Sequence, residues 1–152
     1  MKKEVLINNS ELQAKLNNLL SDYQLYYQNL RALHWLVKGP RFFQLHEVYE
    51  KYYDEAADVV DEIAERILMI GGKPLHTFQE YLNTSNIKPV EEISDESKGL
   101  QVVIDNSEHL LGSFREILDF AGKIDDEGTS ALMSDLIGAA EKRLWMLKSM
   151  KA

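Results

Sequence analysis

Two histidines and three carboxylates stand out by their type and spacing. His34 lies five residues before Gly39, and His46 lies six residues after Pro40. Glu50 follows His46 by four positions, and Asp61 and Glu65 are again four apart. In a helix, residues four apart lie one above the other, so each pair would share a stripe. Imidazole nitrogens mixed with carboxylate oxygens form a donor set suited to Fe(II), Mn(II) or Zn(II). The chain has no cysteine, which excludes zinc fingers, thiolate clusters, disulfide scaffolds and cysteine nucleophiles.

Long helices must carry these residues. No Gly or Pro occurs from Ser10 to about Lys38. Leu12, Leu16, Leu19, Leu20, Tyr23, Tyr27, Leu30, Leu33 and Val37 recur there at helical spacing, and Ser10 is suited to cap the start. Gly39-Pro40 signals a stop and restart. A second helix is expected from about Arg41 to Ile70, ended by Gly71-Gly72 and Pro74. Residues from about Gly72 to Ser94 read as a long connection with a short helix near Thr77–Leu82. Ser94-Asp95-Glu96 starts a third helix, which runs to about Ala121 with Leu111, Phe114 and Leu118 facing inward. Asp125-Asp126-Glu127 opens the fourth, its acids complementing the helix dipole. Two short links and one long middle crossover describe an all-α, ferritin-like four-helix bundle. We expect one domain over residues 1–152, with a short N-terminal tail at about 1–9.

Distance then constrains the chemistry. His34 and His46 sit at similar heights if the first two helices fold back as a hairpin. Glu50 and Asp61, however, are eleven residues apart, about 16 Å along one helix. Metal–ligand bonds of about 2.0–2.6 Å cannot bridge that gap. Either the groups are unrelated half-sites, or a second copy runs antiparallel beside the first. In a two-fold dimer, His34, His46 and Glu50 of one subunit would then meet Asp61 and Glu65 of the other.

The ordinary readings of the same residues are a solvated charged face for Asp61, Glu62, Glu65 and Arg66, and structural roles for His76 and His109. The residues three before the histidines are Arg31, Phe43, Lys73 and Asn106. None is Glu, so the Glu-x-x-His signature of a di-iron centre inside one bundle is missing. Tyr26, Tyr27, Tyr49, Tyr52 and Tyr53 suit core or interface packing. Trp35, next to His34, would suit a sacrificial electron donor beside a metal.

Lys and Arg number 17 against 25 Asp and Glu, a net charge of −8. Such a surface repels phosphate and attracts cations. No run of about 18 apolar residues exists to span a membrane, and MKKEVLINNSELQ lacks the apolar stretch of a signal peptide. A cytoplasmic location is the expectation.

Several segments together resemble the Dps family, the ferritin-like DNA-binding proteins from starved cells. They are His34-Trp35, Lys38-Gly39-Pro40, Phe43-Gln44-Leu45-His46-Glu47 and Asp61-Glu62-Ile63-Ala64-Glu65-Arg66. Gly128-Thr129-Ser130 and Glu141-Lys142-Arg143-Leu144-Trp145-Met146-Leu147 extend the likeness, which runs from about Leu12 to Leu147. It implies a hollow dodecamer with ferroxidase centres at its two-fold interfaces. His34, His46 and Glu50 would come from one subunit and Asp61 and Glu65 from its partner, with Trp35 matching the aromatic beside the first histidine. The implied activity is oxidation of Fe(II) at a di-iron centre, preferably by hydrogen peroxide, with storage of ferric mineral and protection from oxidative stress. Asp125, Asp126 and Glu127 are candidates for a three-fold iron entry. DNA-binding members generally use a lysine-rich tail. Here Lys2, Lys3, Lys148 and Lys151 are all the termini offer, so weak or absent DNA binding is expected. The alternative is a DNA-compacting shell with weak ferroxidase activity.

Overall fold

The computed structural model describes residues 2–151, with side chains from Asn9 onward. It contains α1 (Lys2–Leu36), α2 (Phe42–Met69), α3 (Phe78–Thr84), α4 (Glu96–Lys123) and α5 (Glu127–Lys151), with no strand among the described residues. α1 continues past its expected start. Nothing in residues 2–9 breaks a helix, so Ser10 lies exposed inside α1 rather than capping it.

The four long helices bury one stripe each. Leu12, Leu16, Leu30 and Leu33 of α1 meet Leu45, Tyr49, Ile63 and Ile67 of α2, and Phe114, Met133 and Ala140 close the core from α4 and α5. Tyr27 and Leu118, expected inside, are only partly buried. α1 and α2 are antiparallel. The Asn9 amide donates to Ile70 O (2.7 Å) at one end, and His34 meets His46 at the other.

The ends of the elements follow local chemistry. Gly71, at φ +86°, ends α2, with Gly71 N–H on Leu68 O and Gly72 N–H on Ile67 O. That is the left-handed exit that glycine makes without strain. Thr77 caps α3 through Glu80 N–H, and Asp95 caps α4 through Lys98 N–H. Asp126 caps α5 through Thr129 N–H (2.9 Å). These are ordinary N-cap bonds.

The crossover runs the length of the bundle and is fastened to α1 by three polar side chains. Asn17 donates to Lys73 O (3.1 Å) and accepts the Leu75 N–H (2.9 Å). The buried Asp22 carboxylate accepts Ser85 Oγ (3.0 Å) and the Asn86 N–H (2.7 Å) on one oxygen, and His109 Nε2 (2.8 Å) on the other. Asn29 accepts the Val90 N–H (2.8 Å) and donates to Lys88 O (2.9 Å). A segment with Pro89 and no regular structure thereby has its backbone groups satisfied. His109 is structural, as the sequence suggested.

Removal of the Asp22 carboxylate strands several donors at once. We expect Asp22→Ala to cost about 3 kcal/mol. It should lower the thermal midpoint and speed amide exchange at residues 85–90, measured by hydrogen–deuterium exchange. Unchanged exchange there would show that the strap is held by other means.

Candidate metal centre

The turn between α1 and α2 brings His34 and His46 face to face. Their ring centroids are 3.7 Å apart and the planes are inclined by 10°. Each Nδ1 lies on the other residue's carbonyl oxygen, His34 to His46 O at 2.6 Å and His46 to His34 O at 2.7 Å. A carbonyl only accepts, so each Nδ1 must carry the proton. In the neutral imidazole each Nε2 then keeps its lone pair, which is the form a metal requires of a histidine. The two helices hold one another's imidazoles in the tautomer that ligates. Phe42 stacks on the other side of the His46 ring, centroids 4.9 Å apart, and Tyr53 packs edge-on against His34 at 5.4 Å.

Glu50 stands one turn beyond His46 on α2, exposed, with the Tyr53 hydroxyl 3.5 Å from its Oε1. Asp61 and Glu65 are exposed further along the same helix. A hydrogen bond with Asp61, the Asp61 charge, partial desolvation and Glu62 together raise the Glu65 carboxyl above its usual range. Like charges this close disfavour the ionised form of Glu65. α2 is unbroken from Phe42 to Met69, so along the helix Asp61 stays about 16 Å and Glu65 about 22 Å from Glu50. Among the described residues, no group of three or more His, Asp or Glu side chains converges on a metal position within one chain. The five candidates thus fall into two clusters: His34, His46 and Glu50 near the turn, and Asp61 with Glu65 toward the other end.

Trp35 is 57% exposed, with the Arg31 guanidinium 5.0 Å from its ring. Arg31 also lies 5.4 Å from Tyr27, and Tyr27 packs at 6.0 Å on Tyr53. Of the acidic triplet before α5, Asp126 is committed elsewhere. It bonds Thr129 N–H and Oγ1, and Arg66 Nη2 reaches it at 2.8 Å. Burial opposes its charge, but the Thr129 bonds and Arg66 outweigh that and hold the carboxyl below its usual range. Gly128 leaves room for Arg66, since a Cβ there would lie 2.5 Å from Nη2. Asp125 and Glu127 are exposed. Sequence reasoning assigns Tyr53 to core or interface packing and Phe42 to the stripe of the second helix, without placing either against the histidines. Tyr53 is seven residues after His46 and three after Glu50, a spacing that already put it on their stripe.

Residues 13–151 match the ferritin-like domain family. A DNA protection during starvation protein of Porphyromonas gingivalis is 43% identical over 134 residues, covering 88% of this chain and 84% of the relative. A second, of Bacillus anthracis, is 38% identical over 93% of this chain and 97% of its own. Among solved structures, the Dps protein of Vibrio cholerae superposes with a TM-score of 0.94 at 41% identity, covering 96% of this chain and 92% of that one. It is described as a member of a superfamily of ferritin-like diiron-carboxylate proteins.

The acidic pair has a measurable cost. Glu65 binds its proton more readily in the folded chain than when unfolded. The repulsion therefore penalises the fold at pH above the raised value and fades as pH falls through it. Asp61→Asn should raise the thermal midpoint of the metal-free protein at pH 7, with the gain shrinking toward about pH 4. Thermal unfolding followed across that range tests this, and a lower midpoint at pH 7 would refute the repulsion.

Proposed function

This chain belongs to the Dps family of ferritin-like proteins, and we propose that it oxidises Fe(II) at a centre completed between two copies related by a two-fold axis. The observation that carries the reading is the reciprocal bonding of His34 and His46, which leaves two Nε2 atoms free to bind metal. The missing anionic donors, Asp61 and Glu65, lie on the same helix but out of reach. An antiparallel partner supplies them, and a two-fold contact makes two such centres.

Each residue then has a role. His34 and His46 hold the first ferrous ion through nitrogen. Glu50 and the partner's Asp61 and Glu65 neutralise the pair of ions and favour the harder Fe(III) product. Carboxylates bind metal in their ionised form, so any proton on Glu65 leaves when the cation binds. Hydrogen peroxide is the preferred oxidant: two Fe(II) give one electron each, the O–O bond breaks, and two protons complete two waters. No hydroxyl radical is released when both electrons come together. Trp35 is placed to give up an electron when only one ion is present. The ferric product is stored inside a hollow dodecameric shell, and the cell is protected from oxidative damage. Asp125 and Glu127 are the members of the acidic triplet left to draw cations toward an entry.

No helix among the described residues is long and apolar enough to cross a membrane, and we place the protein in the cytoplasm. The curated relatives are named for DNA protection. A net charge of −8 per chain argues that protection here comes from removing iron and peroxide rather than from coating DNA.

His46→Ala or Asp61→Ala should slow peroxide-dependent loss of Fe(II) at least tenfold, on the scale of losing a ligand or its support. Light scattering should show a large assembly; a monomer without ferroxidase activity would defeat the proposal. In a gel shift at low salt near neutral pH we expect little retention of DNA. Tight retention would favour the DNA-compacting alternative.

A further inference from the structure

The turn that pairs the two histidines does not stand alone. It is docked on the far half of the bundle, against the first turn of α4. The Arg41 backbone N–H donates to Glu96 Oε2 at 2.7 Å, and Arg41 Nε lies 3.6 Å from Oε1. Beside them the Lys38 N–H donates to Ser94 O at 2.9 Å. Arg41 is the N-cap of α2 and has no side-chain capping bond of its own, so Glu96 supplies from another helix an acceptor at the start of α2. Gly39 adopts φ +142°, and a Cβ there would meet the Glu96 side chain at 2.6 Å. The turn thus combines a backbone conformation open to glycine with a gap that only glycine leaves for the carboxylate. One turn into α4, Gly99 packs against both hairpin arms: a Cβ there would be in ordinary contact with Leu33 (3.4 Å) and the Tyr49 hydroxyl (3.5 Å). Leu33 adjoins His34, and Tyr49 is three residues past His46.

We propose that Glu96 is a positioning residue for the imidazole pair: by gripping Arg41 it fixes the register of α1 against α2 that the two reciprocal Nδ1–carbonyl bonds require. Those bonds tolerate little slippage, because each ring must reach the other residue's carbonyl while the rings stay stacked. Glu96 is well suited to the task. Its side chain is largely buried at 14% exposure, and its backbone is fixed by the Asp95 cap. The inference rests on the metal-centre reading of His34 and His46.

The test uses the intact assembly with Co(II) as the probe and needs no turnover. Co(II) affinity is read by visible absorption, and the histidine tautomers of the metal-free protein by solid-state NMR on 15N-labelled imidazoles. Wild type should bind Co(II) and show Nδ1–H at His34 and His46. Glu96→Ala should weaken Co(II) binding about tenfold or more, as loss of an outer support does at metal sites, and should mix the tautomers at both histidines. Glu96→Gln keeps an oxygen for the Arg41 N–H and should recover most of the affinity together with the Nδ1–H tautomers; a merely destabilising role would lower stability in Glu96→Ala without mixing the tautomers of the folded assembly. Should Glu96→Ala fail to assemble, Glu96→Asp keeps an acid in the first turn of α4 but withdraws it by one methylene, and should lose affinity in the assembled shell. Wild-type tautomers together with Co(II) affinity within twofold of wild type, in Glu96→Ala or in the assembled Glu96→Asp, would overturn the role of Glu96 alone. A wild type that does not bind Co(II) through the histidines would overturn the metal-centre reading and the proposal with it.

Discussion

A straight helix is a ruler, and α2 measures out a gap that no side chain can close. Glu50 and Asp61 are fixed by the same unbroken backbone hydrogen bonds, about 16 Å apart along the axis. The absence of a converged site in one chain, among the described residues, follows from that spacing, while Glu50, Asp61 and Glu65 stay exposed along the helix. Within the acidic pair, the bond to Asp61 and the Asp61 charge raise the Glu65 carboxyl above its usual range. Perturbed carboxyls of this kind recur at functional sites, which is what the proposed role of the pair leads one to expect.

Elsewhere the chain treats buried charge in the opposite way. Asp22 is 2% exposed and its carboxylate is surrounded by donors from the crossover and α4. Asp126 is saturated by its own helix start and by Arg66. These acids organise loops: one fastens the connection between the two hairpins, and the other ties the end of α2 to the beginning of α5. The acids near His46 and beyond have few partners or only each other. Among these acids, hydrogen-bond satisfaction separates those that build the fold from those left free for chemistry.

Much of this was legible from residue order. Leucine spacing, Gly39-Pro40 and Gly71-Gly72 marked α1 and α2, and Pro74 with Pro89 marked the crossover. The hairpin argument put His34 and His46 at one height, and the structure stacks their rings. Three things were not legible. The start of α1 was drawn at Ser10 because a capping residue looks alike whether or not a helix precedes it. The inward tilt of Tyr27 and Leu118 was overestimated because a periodic stripe does not say how wide the buried sector is. The grip of Glu96 on Arg41 spans 55 positions, and the contact between Asp22 and His109 spans 87. Contacts at that separation depend on how the two hairpins dock, which local periodicity does not encode.

Arg41 has one more partner: its Nη1 donates to Met150 O at 2.9 Å, closing the last turn of α5. The C-terminal end of the polypeptide is therefore stapled to the bend beside the stacked imidazoles. At the opposite pole, Asn9 meets Ile70 where α2 finishes. The two poles are unequal as places for attaching a fluorophore, an affinity handle or a fused cargo. A label carried on the last turn of α5 would pull on the guanidinium at the bend, whereas one carried near Asn9 would sit most of a helix length away from it.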